Sequence, residues 1–339
     1  MGISRVGVFC GAASAVLYTA ANVALKRVAD VDAFLVSAIK AVPTVLFLLP
    51  VVGVFVVSKR PTGLGRTGWG FGPGGAGRFA AVALFGQFVG NAAFQIALGH
   101  IDLAIAVPIT LGTLIVCGAT FGWLLLGERV PLTRRCAMLV LLAAVAVLAI
   151  GSGSGATAGS SSDGTARIAW WGVGCASACG MAYALFGTVM RQTLSAGLSM
   201  PMTMLISGFV GTVALSSVAA TRVSPEQLAS LDSYHWWVMA QAGLLNFVAF
   251  VALTASLRML PVVAVNLINA SQVALASAAG VWLFGERLTT SLMVGIAMTI
   301  GGLIVLTLGD RYDRRRTAGI GSAPDRSTLR SEPPLKSAS

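Results

Sequence analysis

Ten apolar segments limit what this sequence can fold into. They run roughly over 6–25, 33–57, 79–99, 103–126 and 134–151, then over 169–190, 200–220, 236–257, 261–284 and 291–309. As α-helices they have spanning length for a hydrocarbon layer of about 30 Å. Charged residues make up 10% of the chain, where soluble domains carry about a quarter, and mean hydropathy is +0.84. A soluble chain of 339 residues would need two or more domains, each with a polar surface that this sequence lacks. The run from Val6 to Leu25, preceded by Arg5, begins like a secretory signal. It is long enough to span and has no small-residue cleavage site, so it is read as the first membrane helix.

Composition also excludes functions. The net charge of +11 does not point to nucleic acid, because the bases sit between apolar segments and in the tail, not in a patch interleaved with aromatics. Cys10, Cys117, Cys136, Cys175 and Cys179 lie in or beside apolar segments, which argues against a disulfide framework. Cys175 and Cys179 share a helix face, but with no His near them in sequence they read as small packing residues rather than a metal site. No nucleophile–base pair or phosphate-binding loop stands out, so neither an enzyme nor a cofactor is expected.

The chain repeats itself. Leu124-Leu125-Leu126-Gly127-Glu128-Arg129-Val130 closes the fourth segment, and Trp282-Leu283-Phe284-Gly285-Glu286-Arg287-Leu288 closes the ninth. Gly7-Val8-Phe9-Cys10 opens the first segment and Gly172-Val173-Gly174-Cys175 the sixth; Tyr18 and then Lys26 follow the first, Tyr183 and then Arg191 the second, at matched spacing. A Gly/Ser-rich linker over 152–168 separates a first half, 1–151, from a second, 169–309, and a polar, Arg-rich tail over 310–339 is expected to be disordered. Each half has an odd number of spans, so the second enters the membrane upside down. The expected fold is an all-α membrane protein of about ten transmembrane helices in two inverted five-helix repeats. With both termini inside, Arg5, Lys59, Arg60, Arg66, Arg78, Arg129, Arg134, Arg135, Arg191, Arg258 and the tail bases face the cytoplasm. Lys26, Arg27, Arg167, Arg222 and Arg287 face out, and this excess inside sets the expected orientation.

Two five-helix halves, each with Gly-Glu-Arg after its fourth helix, resemble the EamA-type members of the drug/metabolite transporter superfamily. Tyr18-Thr19-Ala20-Ala21-Asn22-Val23-Ala24-Leu25-Lys26 is similar to that family's aromatic-to-lysine stretch, with Tyr18 where Trp is usual, and Lys40 stands where many members carry Arg. The resemblance covers about 7–309. It implies a ten-helix transporter of the bacterial inner membrane with a central cavity between its halves, usually an exporter of small metabolites or drugs.

Polar groups inside a membrane are costly and mark candidate sites. Gln87, Asn91 and Gln95, spaced four apart, line one face of the third segment; Asn266, Asn269 and Gln272, spaced three apart, line one face of the ninth. Asn22 and Asn246 add amides in the first and eighth, and Tyr18 and Tyr183 could stack on a solute. These amides suit a polar or zwitterionic solute, or else join helices by hydrogen bonds. Lys40 lies about eight residues, or roughly 12 Å, into the second segment. It either snorkels to the interface or meets an anionic group in the cavity. No Asp or Glu lies near the middle of any span, which argues against a carboxylate proton site. Gly127, Glu128, Gly285 and Glu286 read as structural: each glycine can end its helix left-handed, and each Glu can meet an Arg or the N-terminus of the next helix, with Thr133 and Thr290 or Ser291 as caps. Gly118, Gly122, Ala276 and Gly280 suggest close packing of the fourth and ninth helices, and Pro43 and Pro108 are possible kinks. The expected partners are a small-molecule solute and the lipid bilayer, with a monomer or homodimer both open. A sugar-phosphate or nucleotide-sugar exchanger, or a non-transporting scaffold or receptor, are the competing readings.

Overall fold

The computed structural model describes residues 5–59, 61–127, 132–155, 163–259, 262–302 and 304–305. All regular structure among them is helical. Ten helices follow the ten expected segments: α1 Arg5–Arg27, α2 Ala33–Val57, α3 Ala76–His100, α4 Leu103–Leu126, α5 Leu132–Gly155, α6 Asp163–Ser195, α7 Met200–Arg222, α8 Ser233–Met259, α9 Val262–Phe284 and α10 Thr290–Gly302. Helices α1–α4 and α6–α8 are long and apolar enough over the described residues to cross a membrane, while α5, α9 and α10 contribute shorter apolar stretches. Helices α5 and α6 run further than the sequence suggested, to Gly155 and from Asp163. The flanks of the segment read as a 152–168 linker, 152–155 and 163–168, are therefore helical, and its centre, 156–162, lies outside the described residues. Helices α2 and α4 likewise continue through Pro43, Pro50 and Pro108.

The two halves interleave. α1 packs on α8, and α3 on α6, so each half lends its first helix to the other's third; α2 meets α7, and α4 meets α9. Between α1 and α8, the Ser256 hydroxyl donates to the Gly7 carbonyl at 2.9 Å. Large apolar side chains such as Leu46, Leu49, Val54, Phe209 and Leu139 face outward, as lipid contact requires. Trp170, Trp171, Trp236, Trp237 and Trp282 are exposed at the end of the bundle that carries the Gly99–Asp102 turn, where an aromatic belt would meet the lipid headgroups.

That end is held by the repeated motif. Gly285 adopts φ 66°, the left-handed conformation that ends α9, and Gly127 does the same after α4. Past Gly285 the chain folds back, and Glu286 is buried against Gly280 and Ala104. Its Oε1 accepts from the Leu103 amide at 2.6 Å and its Oε2 from the Ala104 amide at 2.9 Å. Burial pushes this carboxyl above its ordinary pKa, against the pull of the two amides. Glu286 thus caps α4, the helix packed beside α9, rather than the next helix in sequence; α10 is capped instead by Thr289, whose hydroxyl accepts from the Leu292 amide, and not by Thr290 or Ser291. Lys26 completes the clamp by donating to the Leu98 and Ile101 carbonyls at 2.7 and 2.8 Å, the open carbonyls where α3 ends. Glu128 lies outside the described residues, as does the Thr133 side chain. Close packing of α4 on α9 occurs at Gly280 and Ala104; Gly118 faces open space.

Replacing Glu286 by Ala uncovers two buried amides and should cost about 3 kcal/mol. Thermal unfolding in detergent should show a clear drop for Glu286→Ala and a smaller one for Glu286→Gln, which keeps one acceptor oxygen. Equal stability of Glu286→Ala and the parent would refute the clamp.

Candidate functional site

A cavity of about 430 Å³, its wall largely apolar but carrying a cluster of amides, hydroxyls and Lys40, lies at mid-depth, walled by α1, α2, α3, α4, α6, α7, α8 and α9. Its geometry starts from a local irregularity in α3. The helix is α-helical over Ala76–Phe85, widens to a π turn over Gly86–Gly90, and is α-helical again over Asn91–His100. Such turns cluster at functional sites because the extra residue re-aims side chains. Here two glycines allow α6 to approach. A Cβ on Gly86 would lie 2.7 Å from the Phe186 Cβ, and one on Gly90 would lie 2.7 Å from the Tyr183 ring.

Asn91 is the hub of the resulting network. Its Oδ1 accepts from Lys40 Nζ at 2.8 Å and from the Tyr183 hydroxyl at 2.6 Å. Its Nδ2 donates to Gln87 Oε1, and Gln87 Nε2 donates to the Ser207 hydroxyl at 3.1 Å. The chain of bonds thus joins α2, α3, α6 and α7. Lys40 is 9% exposed and reaches inward to Asn91, so it does not snorkel. Among the described residues it is the single charged one lining the cavity, and none of those is Asp or Glu.

Of the residues singled out in the sequence, Tyr18, Asn22, Lys40, Gln87, Asn91, Tyr183, Asn246 and Gln272 line this cavity. Gln95 does not. It sits one turn past Asn91, where its Nε2 donates to the Leu25 and Val28 carbonyls at the end of α1. The reason is depth: Gln95 lies one α-helical turn nearer the 99–102 end than Asn91, beyond the chamber, where the open carbonyls at the end of α1 take its amide. The side chains of Asn266 and Asn269 lie outside the described residues. Sequence reasoning passed over Thr44, Thr110 and Ser207, which also line the cavity. Hydroxyls in membrane helices mostly bond back to their own helix, as Thr188 does to the Ala184 carbonyl, so they give little signal. The signal available for Ser207 was its place beside Gly208 and Gly211, a small-residue face against Thr44 and Gln87.

A bundle of spanning helices enclosing a mid-depth chamber with a cluster of polar side chains on its wall is the architecture of a membrane transporter. The model of the EamA-like transporter family matches residues 5–150 and 170–308, one match to each half, and the chain belongs to that family within the drug/metabolite transporter superfamily. It is a multi-pass integral membrane protein, whose family implies a small-molecule solute. A solved structure described only as the crystal structure of a protein is similar in fold, with a TM-score of 0.59 at 20% identity over 90% of this chain and 98% of that one. No curated protein sequence matches the chain significantly.

Tyr183→Phe removes one hydrogen bond to Asn91 and should cost about 0.6–1.7 kcal/mol, the range for interhelical polar contacts. Gly90→Val should cost more, because it displaces the whole ring. Thermal unfolding of the two variants in detergent tests that order, and the reverse order would contradict the close approach of α6 to the π turn.

Proposed function

We propose that the protein carries a small polar or zwitterionic solute across the bacterial inner membrane by alternating access, in the direction of export, with both termini in the cytoplasm. The observation that carries this reading is Lys40: among the described lining residues it is the lone cation, set among amides on the chamber wall, with no carboxylate to neutralise it. A buried charge without a counter-ion is expensive, and an anionic group on the solute supplies the partner. The amides of Asn22, Gln87, Asn91 and Asn246 then accept from and donate to the rest of the molecule. A phosphate-bearing solute would call for a second base, which the described lining residues do not include.

The distribution of bases supports the orientation, since about twice as many basic residues flank the cytoplasmic ends of the spans as the outer ends. Alternating access draws support from the asymmetry of packing. The largest buried apolar cluster, with Leu25, Val28, Val36, Leu98, Leu103, Met239 and Leu292, lies at the 99–102 end, where the Glu286 and Lys26 clamp also sits. In the proposed orientation this end is outermost, so the described state is shut to the outside.

Purified protein in liposomes, screened against neutral amino acids, sugars and cationic drugs with and without a pH gradient, tests the reading. Neutral amino acids should be carried. Lys40→Gln should fold and lose transport by roughly tenfold or more, as expected for one charge-assisted bond. A folded Lys40→Gln protein with full transport would overturn the site. Deleting 311–339 should leave transport intact, and loss of transport on that deletion would favour a protein that signals through its tail.

A further inference from the structure

We propose that the cleft at the 99–102 end, between the α1–α2 loop, α3 and α7, is a second solute site, which takes a small zwitterion through its carboxylate and a donor group. The proposal rests on the transporter reading above. The cleft encloses about 220 Å³ and is lined by the loop from Ala29 to Phe34, by Gln95, Ile96, Gly99 and His100, and by Arg222. That volume holds about seven water-sized groups, enough for a small amino acid.

Its floor has an unmet acceptor. Gln95 is 2% exposed, and both of its Nε2 bonds go to carbonyls, Leu25 at 3.0 Å and Val28 at 3.2 Å, which fixes the orientation of the amide. Its Oε1 is buried with no partner among the described residues. An unpaired buried carbonyl is costly, and a ligand N–H or O–H would satisfy it. The opposite wall supplies the complementary charge. Arg222 binds Asp32 Oδ2 through Nε at 3.0 Å, and its guanidinium lies 5.2 Å from the centre of the Phe34 ring. Among the described residues its terminal nitrogens have no other partner, and they can hold a carboxylate in their plane.

The cleft also lies on the path out of the cavity. Gln95 stands one turn, about 6 Å, beyond Asn91 on the same helix. The amides of α3 therefore lead from the inner chamber, past the closed end, to the outer cleft. A solute released by Asn91 and Lys40 would meet the Gln95 carbonyl and the Arg222 guanidinium next.

Equilibrium dialysis of the purified full chain against radiolabelled serine and alanine, counting sites per chain, tests this. The parent should bind at two sites. Lys40→Gln should retain one, and adding Arg222→Gln should weaken that one roughly tenfold, as loss of a charged hydrogen bond predicts. Arg222→Lys should recover part of the loss. The Arg222–Asp32 pair is exposed enough that these variants should fold, which thermal unfolding checks. One site in the parent and none in Lys40→Gln would overturn the cleft and leave the transporter reading intact. No binding of either amino acid by the parent would overturn both.

Discussion

A helix that ends inside or at the edge of a membrane leaves backbone groups that water cannot reach, and much of this structure is arranged around meeting that demand. The tight turn between α3 and α4 puts two such ends side by side, the open carbonyls of one helix and the open amides of the other. Neither Gly99 nor Asp102 solves the problem locally, since Asp102 makes no side-chain cap bond. Lys26 supplies charge to the carbonyls and Glu286 to the amides. Each sits where the helix dipole favours its sign. The two residues come from opposite halves of the chain, so meeting the backbone demand also ties the halves together.

This explains why the Gly-Glu-Arg motif is built as it is. The glycine must take φ 66° to turn the chain back, and the carboxylate must follow at once to reach the neighbouring helix. Gly280 completes the arrangement by leaving room for the Glu286 carboxylate. The site depends on the same economy of space. Gly86 and Gly90 bring α6 against the π turn, Tyr183 then reaches Asn91, and Asn91 in turn holds Lys40.

How much of this could be read from the sequence follows from what sequence patterns encode. The ten spans are legible because bilayer thickness sets their length. The inversion is legible because Gly127 and Gly285 mark the same corner of two halves with odd span counts. Asn22, Lys40, Gln87, Asn91, Asn246 and Gln272 are legible because an amide or cation in a span has few alternatives, and Tyr18 and Tyr183 because they recur at matched places in the two halves. Gln95 is where the pattern fails. Its spacing from Asn91 is that of an α-helix, and both residues lie in one α-helical stretch; what the pattern does not encode is depth, because Gln95 stands one turn further out, where α1 ends. Glu286 was legible as structural, but its partner was not, because capping a helix far away in sequence depends on packing that only the assembled bundle supplies.

The same physics bears on how the proposed cycle could work. The clamp and the apolar cluster are both at the 99–102 end, so opening that end requires exposing the Leu103 and Ala104 amides together with buried leucines and valines. Both costs call for an offset elsewhere in the molecule. In a pseudo-symmetric protein, the offset can come from forming the equivalent closure at the opposite end, where Gly127 takes the same left-handed turn as Gly285. An inverted repeat thus lets two outward- and inward-closed arrangements have similar free energy while both stay far from a state open at both ends. In the proposed cycle, a solute bridging Lys40 and the α3 amides would change the balance between them by only the few kcal/mol of its own contacts, which would be enough only with the two closures already nearly matched.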